Sequence, residues 1–461
     1  MKTAASFLVL LLLTIGAFGQ NFAELEKTIA DELREKNAAG AGVAIVKGDR
    51  VVFAKGFGAA NVETGAPVTA DTLFQIGSIT KTFTAAMILS LAEEGRLKLD
   101  QPISDYAKNL SPKLSRVTLD QLLSHTAGII DEPDEFGAGD ESLMASYIRS
   151  WKDDYALFEA GEVFSYSNSG FALAGFAAQE QSGKLYADLM TEKIFQPLGM
   201  RSATFRPTVA MTYPLAVGHQ TKQGEKPAVV RPLAQDARLY PAGTFYASLN
   251  DMCRFATAFL NGGKIDGKQL IAPAVIEKMS VPRAKQLSAT DDSSYGYGLF
   301  MNTRRGVRVL WHDGSMTGYV ASMLFVPEQK IAVIILGNTN NAVLSKTQEK
   351  AVELTANLKA VEEVKAKPAL AMTAAEIQDY VGTYNQPNRF KIEIFVKDGK
   401  LFIREFNQEM PLTKIGENRF SFQFPNAPRA VEIAVQPARD GRNGFVHQYV
   451  WAFKKVKDMT D

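Results

Sequence analysis

The chain of 461 residues carries 51 Lys+Arg against 50 Asp+Glu and is 46% hydrophobic and 22% charged, a balance that excludes a disordered, collagenous or all-membrane protein. Its net charge of +1 offers no overall attraction for nucleic acid or anionic lipid, so nucleic acid is set aside as a partner. A single cysteine, Cys253, closes no intrachain disulfide, and His125, His219, His312 and His447 lack the short spacings of zinc sites, so neither a metal nor a disulfide framework is expected.

Residues 1–20 begin with Lys2, continue through an apolar run from Phe7 to Leu13, and end on small residues at Ala17 and Gly19. That is the layout of a signal peptide cleaved near Gly19 or Gln20, and the run falls short of the ~20 residues that a membrane span needs. A periplasmic or secreted protein without a stable membrane anchor is therefore expected.

Two β-type runs, 42–47 and 51–57, are joined through Lys47-Gly48-Asp49-Arg50 and read as a hairpin. A helix is expected over 79–94, where Phe83, Met87 and Leu91 recur at spacing four and Gly95 marks the stop. Further strands are expected at 307–312, 319–326 and 331–336, the last two linked by Pro327-Glu328-Gln329-Lys330. One sheet thus draws on both ends of a large domain, 21–360. Residues 341–360 are again helical in pattern, and 361–371, interrupted by Pro368, reads as a linker. Strands at 389–396, 400–406, 418–424, 430–435 and 445–454 then make a small all-β domain, 372–461, of meander or barrel type.

Three short motifs carry chemistry. Ser78-Ile79-Thr80-Lys81 falls where a loop enters the helix, and the i to i+3 spacing puts both side chains on one face. A serine hydroxyl becomes nucleophilic when a base takes its proton, and a lysine can do so only when neutral. That requires lowering its pKa from about 10.4 to about 7–8 by burial and nearby positive potential. Tyr166-Ser167-Asn168 lies in a loop-like stretch before the apolar run Phe171 to Ala178, so that a phenol able to relay protons and an amide able to orient substrate or lysine can face one cleft. His312-Asp313-Gly314-Ser315 closes the strand 307–312 as a small-residue turn beside a sheet edge. Gly314 there permits close substrate approach, and the Ser315 N–H can join that of Ser78 in holding an oxyanion.

In the order Ser-x-x-Lys, Tyr-x-Asn, His-x-Gly, with separations of 88 and 146 residues between first members, these motifs resemble those of the penicillin-recognising serine hydrolases. The likeness is to the branch related to class C β-lactamases, which includes DD-carboxypeptidases, D-aminopeptidases and family VIII esterases. Leu122-Leu123-Ser124-His125-Thr126-Ala127-Gly128, Pro197-Leu198-Gly199-Met200 and Pro241-Ala242-Gly243 look like landmarks of the same family. The resemblance covers roughly residues 22–358, and the stretch after 370, with Tyr380-Val381-Gly382-Thr383-Tyr384, resembles the lipocalin-like domain often appended to it.

The resemblance implies an α/β fold in which an antiparallel sheet is flanked by helices and a helical subdomain, followed by the barrel-like domain. It implies Ser78 as nucleophile, Lys81 as base and Tyr166 as proton relay, with Asn168, His312, Gly314 and Ser315 binding substrate and no cofactor. His125 is assigned to packing. The expected partner is a small ester, peptide or peptidoglycan-derived substrate; the oligomeric state stays open.

One departure matters. Many family members carry Lys-Thr-Gly as the third motif, and here position 312 is histidine, mostly neutral at pH 7 and a weaker anchor for a substrate carboxylate. An esterase or peptidase is therefore expected in preference to an efficient β-lactamase. A true β-lactamase, a DD-carboxypeptidase and a non-enzymatic penicillin or peptidoglycan sensor stand as the alternatives. A Ser-His-Asp hydrolase is disfavoured, because the chain has no Gly-x-Ser-x-Gly elbow.

Overall fold

A computed structural model describes residues 22–132, 135–222, 225–289, 291–340, 342–361, 367–425, 427–438 and 444–456. The expected leader, 1–20, and residues 362–366 of the expected linker lie outside the described residues.

Among the described residues the first sheet has nine strands, all paired antiparallel, and its centre joins the two ends of the domain. Strand Gly40–Lys47 lies between Arg50–Asn61 and Ile331–Gly337, with Ala41 opposite Gly337 and Lys47 opposite Ile331. The next strands outward are Tyr319–Val326 and Val307–Met316. Alternation along the central strands separates two cores. Ala41, Val43, Ile45, Ile331, Val333 and Ile335 pack under the helices Ala23–Glu35 and Ser345–Thr355. Ala44, Val46, Ala332, Ile334 and Leu336 point the other way, into a larger core. Period-two side-chain placement thus buries both faces of one antiparallel sheet, which accounts for the nearly unbroken apolar runs in these strands.

Helix Thr80–Glu93 runs through the larger core and is buried on every side over its first ten residues. Such a helix is apolar or internally hydrogen-bonded all round: Phe83 and Ala85 to Leu89 pack in the core, while Thr80, Lys81, Thr82 and Thr84 bond to buried carbonyl oxygens. The helix Asn168–Ser182 packs beside it and is likewise buried from Ser169 to Ala178.

Two readings of local structure are corrected. The third-motif strand does not end at residue 312: it continues to Met316, with Gly314 opposite Ala321 and Ser315 opposite Val320. Phe300–Arg304 pairs on its other side only as far as Trp311, so among the described residues 312–316 are paired on one side only, and the expected sheet edge lies at the motif. Small polar residues there mimic a turn, but pairing with Tyr319–Val326 on one side holds them extended, and the reversal comes at Thr317 and Gly318.

The second correction concerns 445–454, which is two strands, Phe445–Gln448 and Trp451–Val456. The turn between them uses Tyr449 at φ 53, with no glycine, proline or asparagine to announce it.

The C-terminal region forms a second sheet of nine antiparallel strands among the described residues. Its outermost strands, Gln408–Pro411 and Thr413–Gly416, are consecutive in the chain, so the sheet curls into a nearly closed barrel. Tyr384, Ile392, Ile403, Phe420, Ile433 and Phe453 fill the interior.

Candidate active site

Gly77–Ile79 forms a 3-10 turn that leads directly into helix Thr80–Glu93, and this junction brings Ser78 and Lys81 onto one face. Two glycines let the junction touch the third-motif strand. A Cβ on Gly77, whose φ is +53, would lie 2.6 Å from the Ser315 nitrogen. A Cβ on Gly314 would lie 1.9 Å from the Ile76 carbonyl oxygen and 3.2 Å from the Ser78 nitrogen. The space at Gly314 is thus taken by the chain that carries Ser78, and the backbone nitrogens of Ser78 and Ser315 are brought into one neighbourhood.

Lys81 is fully buried, and its Nζ lies 3.0 Å from Ser78 Oγ, 2.6 Å from Asn168 Oδ1 and 2.8 Å from the Ala242 carbonyl oxygen. The last two partners can only accept. A neutral amine has two N–H groups and one lone pair, so with both N–H groups donated to Asn168 and Ala242 the lone pair faces the Ser78 hydroxyl. Burial pushes the Lys81 amine down to about 7. The expected help from positive potential is not what lowers it; the charge that acts on it is Asp131, which pulls in the opposite direction.

Tyr166 and Asn168 arrive together at the start of helix Asn168–Ser182. Ser167 caps that helix, its Oγ accepting from the Gly170 N–H at 2.9 Å. The phenol of Tyr166 lines the cavity beside Ser78, and burial holds it well above the usual tyrosine range although Ser78 pulls it the other way, so it stays a proton donor. The Lys81 amine sits 4.8 Å from the centre of the Tyr166 ring.

His312 is buried. Its Nδ1 lies 2.7 Å from the Asp313 carbonyl oxygen and its Nε2 3.1 Å from the Tyr295 hydroxyl. A carbonyl only accepts, so the proton is on Nδ1 and Nε2 accepts from Tyr295. Burial, reinforced by the nearby Lys81, pushes the ring down to about 3, and His312 is neutral across the working pH range.

His125 packs, as expected, and it also braces the second motif. Its Nδ1 accepts from the Ser167 N–H at 3.1 Å, its carbonyl accepts from the Ser165 N–H at 2.9 Å, and its ring lies 4.3 Å from that of Tyr166.

Two cavities flank Ser78. One, of 250 Å³, is lined by Tyr166, Asn168, Glu132, Ser315, Arg389 and Trp451. The other, of 630 Å³, is lined by His312 and Gly314 and by apolar Phe300, Val320, Ile335 and Leu344. Sequence reasoning missed four participants. Ala242 acts through its backbone, which carries no side-chain signal. Asp131 opens the acidic run Asp131-Glu132-Pro133-Asp134-Glu135, in which nothing local singles it out. Arg389 and Trp451 come from the barrel, some 220 residues or more after the second motif, with no local pattern to tie them to it.

No group of three or more His, Cys, Asp or Glu able to hold a metal occurs among the described residues.

Comparisons with known proteins bear on the family and the fold. The family model described as Beta-lactamase matches residues 25–357. Protein flp of Staphylococcus aureus (strain MW2) is 26% identical over 338 residues, 71% of this chain and 65% of that protein; the chain thus spans just under two thirds of that relative's length. Penicillin-binding protein 4 of Amycolatopsis lactamdurans is 29% identical over 321 residues, 67% of this chain and 83% of that protein. Among solved structures, SurE superposes with a TM-score of 0.78 at 24% identity, over 95% of this chain and 100% of that one, which extends the likeness in fold to the C-terminal barrel. With the family model covering most of its length, the chain belongs to the beta-lactamase family, alongside the penicillin-binding-protein-like serine hydrolases.

Proposed function

We propose that the protein is an exported serine hydrolase that cleaves an ester or amide bond through an acyl-enzyme on Ser78, and that β-lactam hydrolysis is weak or absent. The observation that carries this reading is the Lys81 amine, enclosed, near-neutral, and aimed by two acceptor-only partners at the Ser78 hydroxyl.

In the reaction the Ser78 oxygen attacks the substrate carbonyl carbon while its proton passes to Lys81. The oxyanion is held by the backbone N–H groups of Ser78 and Ser315, an arrangement in which each donor contributes roughly 10²–10³ in rate. Tyr166, kept protonated by burial, delivers a proton to the leaving group and is replenished from Lys81. Water then attacks the acyl carbon, its proton returning by the same path to restore the Ser78 hydroxyl.

The neutral, enclosed His312 supports the preference for ester or amide over β-lactam. It supplies no positive charge where family members with Lys-Thr-Gly attract a substrate carboxylate. Export rests on the sequence of residues 1–20.

The test compares purified protein with the Ser78→Ala variant on p-nitrophenyl esters, D-amino acid amides and nitrocefin. Ester or amide turnover that vanishes in Ser78→Ala, with loss of fluorophosphonate labelling and an unchanged fold, is the expected result. Turnover retained in that variant sinks the assignment, and nitrocefin turnover equal to the best ester overturns the preference. A penicillin adduct that persists in intact-mass spectra with no turnover of any substrate would make the protein a sensor.

A further inference from the structure

The catalytic lysine is flanked by an ion pair that joins the two domains. Asp131, fully buried, follows the loop after the Ser124-His125-Thr126 segment. Its Oδ1 accepts from the backbone N–H of Asn168 at 2.8 Å, and its Oδ2 accepts from Trp451 Nε1 at 3.0 Å and from the Arg389 guanidinium. Arg389 stands on the turn between barrel strands Gly382–Asn385 and Lys391–Lys397. It stacks on Trp451 with 4.2 Å from guanidinium carbon to ring centre, and its side chain is only 18% exposed. The barrel also seats its hidden turn on the second motif, where the Tyr166 N–H donates to the Val450 carbonyl oxygen at 2.8 Å.

We propose that Arg389 is a positioning residue of the catalytic centre, which offsets the charge of Asp131 and so keeps the Lys81 amine able to act as a base, making the barrel part of the acyl-transfer machinery. The proposal rests on the assignment of Lys81 as the base for Ser78.

The charge logic follows from the contacts. Asn168 is hydrogen-bonded to Asp131 through its backbone and to Lys81 through its side chain, so carboxylate and amine stand on opposite sides of one residue. An unbalanced carboxylate at that distance favours the ammonium form and silences the base. The other titratable groups facing Lys81 are Ser78 on its own element, Tyr166 before helix Asn168–Ser182, His125 after helix Leu119–Leu123, and His312 on the third-motif strand. Both imidazoles are held neutral by burial and Tyr166 is held protonated. Of the other carboxylates at the cavity, Glu132 is bonded to Tyr155, Glu135 to Thr317 and Asp236 to Arg238, so Asp131 is the charge that bears on the amine and Arg389 is its ion-pair partner. Among the described residues Arg389 is also the only arginine or lysine lining the 250 Å³ cavity beside Ser78.

The experiment records kcat/KM for p-nitrophenyl acetate, and the rate of fluorophosphonate labelling, from pH 5.5 to 9 in the full-length protein and four variants. Arg389→Gln is expected to move the acid limb to higher pH, costing about three- to tenfold at pH 6 and less than about twofold at pH 9. Asp131→Asn is expected to move the limb to lower pH, the double variant to return it to the parent position, and Arg389→Lys to keep it there. A uniform loss at every pH in Arg389→Gln, or a limb that Asp131→Asn fails to move, overturns the proposal and leaves Arg389 a docking residue. Should Arg389→Gln not fold, the opposite displacement in Asp131→Asn decides the matter alone. Ser78→Ala, run alongside, separates the two claims. If it abolishes turnover and labelling while the limbs stay fixed, only the role of Arg389 fails; if it stays active, the reading of Ser78 fails and this proposal with it.

Discussion

Asn168 Oδ1 stands 2.6 Å from Lys81 Nζ, closer than the 3.0 Å that separates the amine from Ser78 Oγ. The amine is gripped by a neutral amide and only then shared with the hydroxyl. Because that amide carries no charge, it orients the amine without favouring the ammonium form. Asn168→Asp keeps the shape and adds a negative charge at contact distance, which should raise the lysine by about 1–3 pKa units. The expected outcome is a protein that folds normally but loses roughly tenfold or more in kcat/KM at pH 7, with activity climbing toward the parent as pH approaches 9. A pH profile of ester hydrolysis checks it, and an unmoved acid limb would show that the amine is not the titrating base.

The parent itself should show that limb near neutrality. With Lys81 lowered to about 7, the fraction of free amine rises as pH increases through 7 and falls tenfold per unit below it. His312, held neutral down to about 3, and Tyr166, held protonated, add no further step in this range. Lys81→Arg, whose guanidinium stays charged at any working pH, is expected to lose about 10²–10⁴ in kcat/KM with no recovery at pH 9. Steady-state rates of the two proteins at pH 6, 7.5 and 9 measure this directly.

How far the sequence could be read depended on whether a signal was local. Helix Thr80–Glu93 and the hairpin at 40–61 were legible because apolar spacing and turn residues sit within a few positions of each other. Ser78, Lys81, Tyr166 and Asn168 were legible as motifs, and the fold brings all four within contact of one amine or hydroxyl. Asp313-Gly314-Ser315 misled, since small residues favour turns locally while the neighbouring strand Tyr319–Val326 holds them extended. The turn at Tyr449 and Val450 was invisible because its residues are those of a strand. That turn, with Arg389, is what carries the barrel to the catalytic centre, so the contribution of the second domain had no signature in the chain.

The larger cavity beside Ser78 should choose the acyl group. Phe300, Val320, Ile335 and Leu344 line its 630 Å³, and each methylene that an acyl chain buries there gains about 0.8 kcal/mol, about fourfold in kcat/KM. Rates on p-nitrophenyl acetate, butyrate and hexanoate are expected to rise in that order until the space fills. Val343 stands on the same wall and is 55% exposed, so Val343→Asp should lower the butyrate-to-acetate ratio severalfold while leaving acetate turnover near the parent level. Equal rates on all three esters would place the acyl chain elsewhere.

Buried imidazoles give the fold its own dependence on acid. His125, His312 and His447 are enclosed, and burial holds all three below the ordinary histidine value, His312 and His447 at about 3. Unfolded, each takes up a proton near pH 6.5; folded, His312 and His447 do so only about three units lower, and His125 also well below its ordinary value. Between those limits the unfolded chain binds more protons, so this stability is complete above pH 6.5 and declines as the pH falls. From pH 7.5 to 5.5 His312 and His447 each cost about 1.4 kcal/mol, and the two together about 3 kcal/mol, with His125 acting in the same direction. His447 Nδ1 accepts from the Ser288 N–H at 3.2 Å, a bond that a glutamine oxygen can replace without titrating. Urea unfolding at the two pH values should therefore give a drop about 1.4 kcal/mol smaller in His447→Gln than in the parent, and equal drops would mean that His447 already carries its proton in the folded protein.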